Sequence, residues 1–166
     1  MKNIVLYMII TLTILFSVSI NLFAEATVEE TVDWLDSTVR KYSPSEVYWT
    51  YRGKRDTVDR RFLYIKHRRN EDGSIILTTC TKEKENEAKS WDDSEINYNL
   101  KEYSRVVIRD DELYDNAIII YFIKSNGKDE EAYDLVFRKQ SRDQVKRMVN
   151  ALNHLIKLSG GKKEPF

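Results

Sequence analysis

Residues 141–161, SRDQVKRMVNALNHLIKLSGG, form the clearest structural signal in the chain. Their large apolar residues recur at intervals of three and four, which places them on one face of an α-helix. They are Val145, Met148, Val149, Leu152, Leu155 and Ile156. Ser141 and Gln144 have the spacing of a capping box, and Gly160 can adopt the positive φ that commonly ends a helix. The rest of the chain must therefore supply a surface that buries this apolar face.

A second helix is predicted from Thr27 to Tyr42, before the sequence becomes strand-like. Thr27 and Glu30 again have the spacing of a capping box. A narrow apolar stripe follows at steps of four and three, and it predicts packing onto the same domain. It comprises Val28, Val32, Leu35, Val39 and Tyr42. The helix should end at residues 43–45, because the residue before Pro44 is pushed out of the α region.

The sequence between the two helices predicts about seven strands. β-branched and aromatic residues, in runs or in alternation with polar ones, mark 47–51, 62–68, 74–82, 96–101, 105–109, 117–124 and 133–137. Residues 52–61 form a polar stretch, and residues 83–95 are expected to be an exposed charged loop. Tight turns are predicted at 70–73 and at Asn126-Gly127. The most apolar strand, 117–124, is expected at the centre of the sheet.

This order of elements predicts an α+β fold. Strands joined without helical crossovers are antiparallel, so we expect about seven mostly antiparallel strands in a bent sheet or partly open barrel. The C-terminal helix should cap it, with the N-terminal helix as an addition. An open sheet with helices on one face is the alternative, if residues 83–95 break the barrel. Over residues 47–158 the order resembles the pleckstrin-homology-like superfold, and the ending 151–161 resembles small secreted bacterial domains with no assigned activity.

The first 26 residues have the pattern of a secretory signal peptide. A basic start is followed by an apolar run from Ile4 to Phe16 and by Ala24-Glu25-Ala26, an A-x-A end. We therefore expect an exported protein, periplasmic or extracellular, with one domain at 27–161 and a flexible tail at 162–166. The alternative is an uncleaved anchor in the inner membrane formed by residues 4–23, which are long enough to span a bilayer.

Composition argues against several classes of function. The chain carries 27 Lys and Arg against 27 Asp and Glu, and removal of Lys2 and Glu25 with the signal peptide leaves it neutral. A nucleic-acid-binding protein would carry a clear positive excess, so no nucleic-acid partner is predicted. Cys80 is the only cysteine and cannot form an internal disulfide. Its apolar surroundings predict a buried side chain, with a reactive thiol as the alternative.

Motifs for metal binding and catalysis are not found in the sequence. His67, His154 and Cys80 lack the spacing of zinc ligands, and the acidic residues 110–115 lack the calcium-loop pattern. No nucleophile motif and no glycine-rich phosphate loop occur. We therefore predict no metal and no cofactor. The sequence leaves enzymatic activity uncertain and favours a non-catalytic protein.

Charge segregation gives the first candidate site. Eight basic residues lie between Arg52 and Arg69, opposed only by Asp56 and Asp59. Lys66, His67, Arg68 and Arg69 flank the turn at 70–73. In pleckstrin-homology-like domains that bind inositol phospholipids, basic residues lie around the first hairpin, so the resemblance implies a site for an anionic lipid or phosphate group. A solvated basic face paired with acidic neighbours is the alternative.

Aromatic residues give the second candidate site. Trp49 and Tyr51 lie on the first predicted strand, and such residues are frequent in protein interfaces. Packing beneath the N-terminal helix is the alternative. Together these features predict an exported, non-catalytic binding module whose partner is another protein. The alternatives are an anionic lipid or surface, bound through 66–69, and a hydrolase of an envelope polymer. The sequence leaves the oligomeric state open.

Overall fold

A computed structural model describes residues 26–51, 54–85, 90–108 and 117–161. At 49–51, 54–56, 85 and 129–134 it describes the backbone only. The predicted signal segment up to residue 25 and the predicted tail at 162–166 therefore lie outside the described residues. No helix within the described ranges is long and apolar enough to cross a membrane.

Two helices and seven strands make up the described chain, and every strand pair is antiparallel. The elements are α1 (Val28–Tyr42), β1 (Glu46–Tyr51), β2 (Lys54–Arg69), β3 (Ile75–Glu85), β4 (Asp92–Asn99), β5 (Tyr103–Ile108), β6 (Ala117–Lys124), β7 (Asp129–Arg138) and α2 (Arg142–Leu158). The α+β prediction, with a helix at each end of a run of antiparallel strands, is confirmed.

The strands form two open sheets and, over the described residues, no closed barrel. The first sheet has the order β1-β2-β3-β4 and the second sheet has the order β5-β6-β7. The division falls at the short 3₁₀ turn Leu100–Glu102. It does not fall in 83–95, and the loop predicted there is wrong at both ends, because β3 continues to Glu85 and β4 begins at Asp92. The described part of the polar stretch, from residue 54 onward, is also strand, and residues 54–59 are held by pairing with β1.

The main core lies between the two sheets and the two helices. Leu35 and Val39 of α1 and Met148 and Leu152 of α2 are fully buried in it, as their spacing predicts. Each large apolar side chain buried in this way stabilises the fold by about 1.5–3 kcal/mol. The N–H of Ile75 donates to the hydroxyl of Ser159 at 2.8 Å, which fixes the end of α2 against the start of β3.

A second, smaller core lies on the other face of the second sheet. Val47 of β1 packs there against Ile119 and Tyr121 of β6 and Val136 of β7. The middle strand, β6, is therefore buried on both faces from Ala117 to Ile123. This explains its almost continuous apolar sequence.

The two helices begin differently. Thr27 and Glu30 form the predicted capping box, with the Glu30 N–H donating to the Thr27 hydroxyl at 3.1 Å and the Thr27 N–H to Glu30 Oε2 at 2.9 Å. The capping box predicted at Ser141 is wrong, because the Ser141 side chain makes no capping hydrogen bond. A 3₁₀ turn leads directly into α2, so Ser141 lacks the extended backbone of a capping residue. Gly160 has φ of 77°, as predicted for the helix end.

Both helices also place a polar side chain on a sheet edge. Asn153 of α2 accepts from the Val106 N–H at 2.7 Å and donates to the Val106 carbonyl at 3.1 Å, as a neighbouring strand would. Asp36 of α1 accepts from the Ile65 N–H at 2.6 Å, on the part of β2 that extends beyond β1. These contacts satisfy backbone groups that would otherwise be open to pairing with other chains.

Candidate functional site

A β-bulge in β2 creates a continuous polar surface on the first sheet. The pairing of β2 with β3 shifts register between Phe62 and Tyr64. Because side chains alternate along a strand, the extra residue brings Arg61, before the bulge, onto the same face as Tyr64, Lys66 and Arg68 after it. This face is opposite the main core.

Three rows of directly opposed residues cross this face from β2 to β4. They are Tyr64–Cys80–Glu95, Lys66–Thr78–Asn97 and Arg68–Ile76–Asn99. We call these nine residues the outer face. Its middle column, on β3, is buried beneath the longer side chains on either side, and Cys80 is only 6% exposed. The prediction that Cys80 is buried is confirmed, and the accessible groups of the outer face come from β2 and β4.

The first row is held together by hydrogen bonds and charge. The Tyr64 hydroxyl donates to Glu95 Oε2 at 2.6 Å, and Lys66 Nζ lies 3.7 Å from the same oxygen. The bond from Tyr64, together with Lys66, lowers the pKa of Glu95. The bond to Glu95, with a smaller effect from Cys80, raises the pKa of Tyr64. Lys66 is therefore already engaged with an acidic neighbour.

The two arginines at the end of the β2–β3 hairpin differ from Lys66, because their guanidinium groups are open to contact by a partner. Arg68 and Arg69 are exposed and line an open cleft of about 550 Å³, and neither forms an ion pair with any described residue. The other cleft residues are Asn70, Glu71, Asp72, Ser74 and Asn99.

Asp72 belongs to the hairpin turn and is occupied by local bonds. It accepts from Lys101 Nζ at 2.8 Å, from the Ser74 hydroxyl at 2.6 Å and from the Ser74 N–H at 3.0 Å. The bond from Lys101, then those from Ser74, hold the pKa of Asp72 well below its usual range. These bonds stabilise the turn that directly follows Arg68 and Arg69.

The structure divides the basic cluster that the sequence predicts. Lys66 and Arg68 lie on the outer face. His67 points to the opposite side, where its Nε2 lies 3.5 Å from Glu29 of α1. Arg69 shares this side through its position in the alternation, and it reaches the cleft because the hairpin ends there.

The aromatic pair cannot be placed in the same way. The backbones of Trp49 and Tyr51 pair with Asp56 and Lys54, but their side chains lie outside the described residues. The half-buried Tyr48, which precedes Trp49, donates from its hydroxyl to Glu46. The aromatic site therefore stays a prediction.

Sequence reasoning missed the β4 side of the outer face, namely Glu95, Asn97 and Asn99. One signal could have indicated these residues. The turn at 70–73 fixes the register of β2 against β3, with Arg69 opposite Ile75. From there the alternation of β3 predicts which residues lie beside Lys66 and Arg68. The partners on β4 need the second pairing as well, and no tight turn of known type fixes that one.

Other features of the described residues give weaker candidates. An apolar groove of about 350 Å³ lies between α1 and α2, lined by Ala26, Trp34, Ala151 and His154 among others. His154 Nε2 lies 3.0 Å from the Ala26 carbonyl. No group of three or more His, Cys, Asp or Glu side chains in the described ranges is arranged to hold a metal ion. Comparison with protein-family models, curated proteins and solved structures finds no match to this chain.

Proposed function

We propose that the chain is an exported, non-catalytic binding module with the pleckstrin-homology-like arrangement, and that its partner is another protein. Two features support the arrangement: the two antiparallel sheets follow each other in chain order, and a C-terminal helix packs against the edge of the second. The apolar run at 4–16 and the Ala24-Glu25-Ala26 sequence support export.

The exposed pair Arg68 and Arg69 is the observation that carries the proposal. Other basic residues near it have acidic partners: Lys66 has Glu95, Lys82 has Asp93 at 3.2 Å, and Lys101 has Asp72. The two arginines make no ion pair with the described chain, although arginine is the residue best suited to bidentate contacts with carboxylates. Two adjacent, available guanidinium groups beside a cleft favour a partner that supplies acidic side chains.

A protein partner fits this surface better than a lipid head group does. Glu71 and Asp72 lie in the same cleft, and Glu95 lies on the same face. On a surface of mixed charge the acidic groups offset the attraction of the arginines to an anionic membrane, whereas a protein can present acidic groups to the arginines and basic or polar groups to the rest. The anionic-lipid alternative keeps Arg68 and Arg69 but depends on Lys66 and His67, which already contact Glu95 and Glu29.

The test uses charge reversal with a matched control. The chain, tagged at its C-terminus, is used to capture proteins from the envelope of the organism that encodes it, at low and at high salt. The variant Arg68→Glu/Arg69→Glu is compared with Arg138→Glu/Lys139→Glu, which makes the same change in charge at two adjacent exposed residues elsewhere. The captured protein is then purified, and its affinity is measured by calorimetry.

We expect one stoichiometric protein that is captured more strongly at low salt than at high salt, because the contacts of exposed arginines are screened by salt. Its capture should be lost with the first variant and kept with the second. Vesicles of anionic and neutral phospholipid are tested in parallel. Binding to the anionic vesicles alone, lost at high salt and in Arg68→Glu/Arg69→Glu, would replace the protein partner with a lipid one. Equal capture by both variants would show that the outer face and its cleft are not the binding site.

A further inference from the structure

β4 forms one edge of the first sheet, where a further strand can be added, and β1 forms the other. β4 pairs with β3 and with no other described strand. Helices place side chains on the edges of β5 and β2, through Asn153 and Asp36. Exposed edge strands are sites at which another strand can pair.

The sequence of β4, DDSEINYN, divides its polar residues by type. Its acidic residues come first and its asparagines come last. Asp93, Glu95, Asn97 and Asn99 alternate on the outer side, and Ile96 and Tyr98 pack toward the main core. Acidic residues on an edge usually prevent pairing, because a neighbouring copy brings like charges together. The order in β4 allows an antiparallel pairing that avoids this.

We propose that β4 pairs with β4 of a second copy of this chain, antiparallel, about a two-fold axis at Ile96. This register places Glu95 opposite Asn97 of the second copy and Asp93 opposite Asn99. Asn99 Nδ2 already donates one N–H to Glu102 Oε1 at 3.0 Å, so it offers its second N–H to Asp93, and the Asn97 amide faces Glu95. Ile96, which is half-buried against the main core, faces its own copy and loses its remaining exposure to water. Every contact away from the axis occurs twice, as in any symmetric dimer.

Charge and side-chain alternation exclude the neighbouring registers. A slip by one residue would place core-facing residues opposite outer ones, because side chains alternate with a period of two. An axis at Glu95 would set that carboxylate directly against its own copy. An axis at Asn97 would keep the charges apart but would leave only five residues of β4 paired with residues of its copy. The axis at Ile96 gives the longest pairing without a like-charge contact.

This pairing goes beyond the proposed function and does not depend on it. It joins the two first sheets into one continuous sheet of eight strands and places both copies of Arg68 on the same face of that sheet. A partner with repeated acidic segments would then meet two sites at once, which increases its apparent affinity without any new contact.

The first test measures mass against protein concentration by analytical ultracentrifugation. The unaltered chain should change from monomer to dimer as its concentration rises. Asn97→Asp places a carboxylate opposite Glu95 of the second copy, twice per dimer, and should weaken dimerisation by about 2- to 30-fold. Asn97→Lys should strengthen it by a similar factor at low salt. Both variants change an exposed side chain, and circular dichroism checks that they fold.

The second test measures the register. In a Cys80→Ser background, Ile96→Cys places two thiols opposite each other at the axis. Oxidised glutathione should accept two electrons from them as the intermolecular disulfide forms. Ser94→Cys is the matched control, because residue 94 faces Tyr98 of the second copy and should not cross-link to itself.

Three results would overturn the proposal. The first is a monomer at every concentration up to the limit of solubility. The second is a dimer whose stability is the same with Asn97→Asp and with Asn97→Lys. The third is cross-linking at residue 94 that equals cross-linking at residue 96, which would show another register. Loss of partner capture with Arg68→Glu/Arg69→Glu is measured separately, so failure of the dimer and failure of the proposed function are distinguishable.

Discussion

Both sheets of this protein are antiparallel, but they differ in the burial of their two faces. The second sheet is buried on both sides of β6, against the main core and against Val47. The first sheet buries one side and leaves the outer face open, with charged residues in its outer columns. The second sheet therefore contributes mainly to stability. The first sheet can change its outer residues at little cost, and recognition can develop there.

The largest expected effect comes from comparing one truncation in each sheet, at a residue on the face turned away from the main core. Ile119→Ala removes a 1% exposed side chain from the second core, and we expect a loss of about 2–5 kcal/mol in the free energy of unfolding. Arg68→Ala, on the outer face of the first sheet, should change it by less than about 0.5 kcal/mol. Urea denaturation measures both. Similar losses would show that the outer face is covered and that the contrast between the sheets is wrong.

The next effect concerns the edge of the second sheet. Asn153→Leu leaves the Val106 N–H and carbonyl without the side chain that pairs with them, and it should cost about 1–3 kcal/mol. Opening this edge should also promote aggregation on storage, measured by light scattering. Asn150→Leu, an exposed change on the same helix, is the control and should do neither. A fully stable Asn153→Leu protein would mean that α2 covers the edge without this contact.

A smaller effect on stability is expected at the start of the two helices, where α1 has a capping box and α2 has none. Thr27→Ala removes a working capping box and should cost about 0.5–2 kcal/mol in thermal or urea unfolding. Ser141→Ala removes a hydroxyl that makes no capping bond, so its effect should be close to zero. If Ser141→Ala proves the more damaging of the two, the start of α2 differs in solution from the arrangement described.

The smallest effect depends on pH and concerns the turn that supports the arginines. The folded-state pKa of Asp72 is lowered by Lys101 and Ser74, so its contribution is present above the unfolded value of about 3.9 and is lost as pH falls through the folded pKa. Asp72→Asn should therefore lower Tm at neutral pH, and the difference from the unaltered chain should shrink below about pH 4. A difference that stays constant from pH 7 to pH 2 would contradict the role of the carboxylate.

Features set by neighbouring residues could be predicted from the sequence. The capping box at Thr27, the helix end at Pro44, and the turns at Gly73 and Gly127 depend on a few adjacent positions, and the structure has all four. The expected capping box at Ser141 failed for a local reason too, because a 3₁₀ turn comes before the helix and changes the Ser141 backbone.

Features set by distant residues could not be predicted. The polar residues 54–61 are held in β2 by pairing with β1 and β3, and the division into two sheets depends on where β4 stops pairing. The candidate site shows the same limit. Charge alone indicates Arg68 and Arg69, but strand alternation sends His67 to Glu29 and brings Glu95, far along the sequence, beside Lys66.

The bond between Ile75 and Ser159 has a consequence for the order of folding. It joins residues 84 positions apart, and Ser159 directly follows the last residue of α2. Contacts between distant residues slow folding, because the intervening chain must be ordered before they can form. Because α2 covers part of the main core, a chain that stops before residue 142 should expose the apolar side chains that α2 covers. Shortening the chain from residue 158 towards residue 142 should therefore cause cooperative loss of the whole fold, and not only of the helix that is removed.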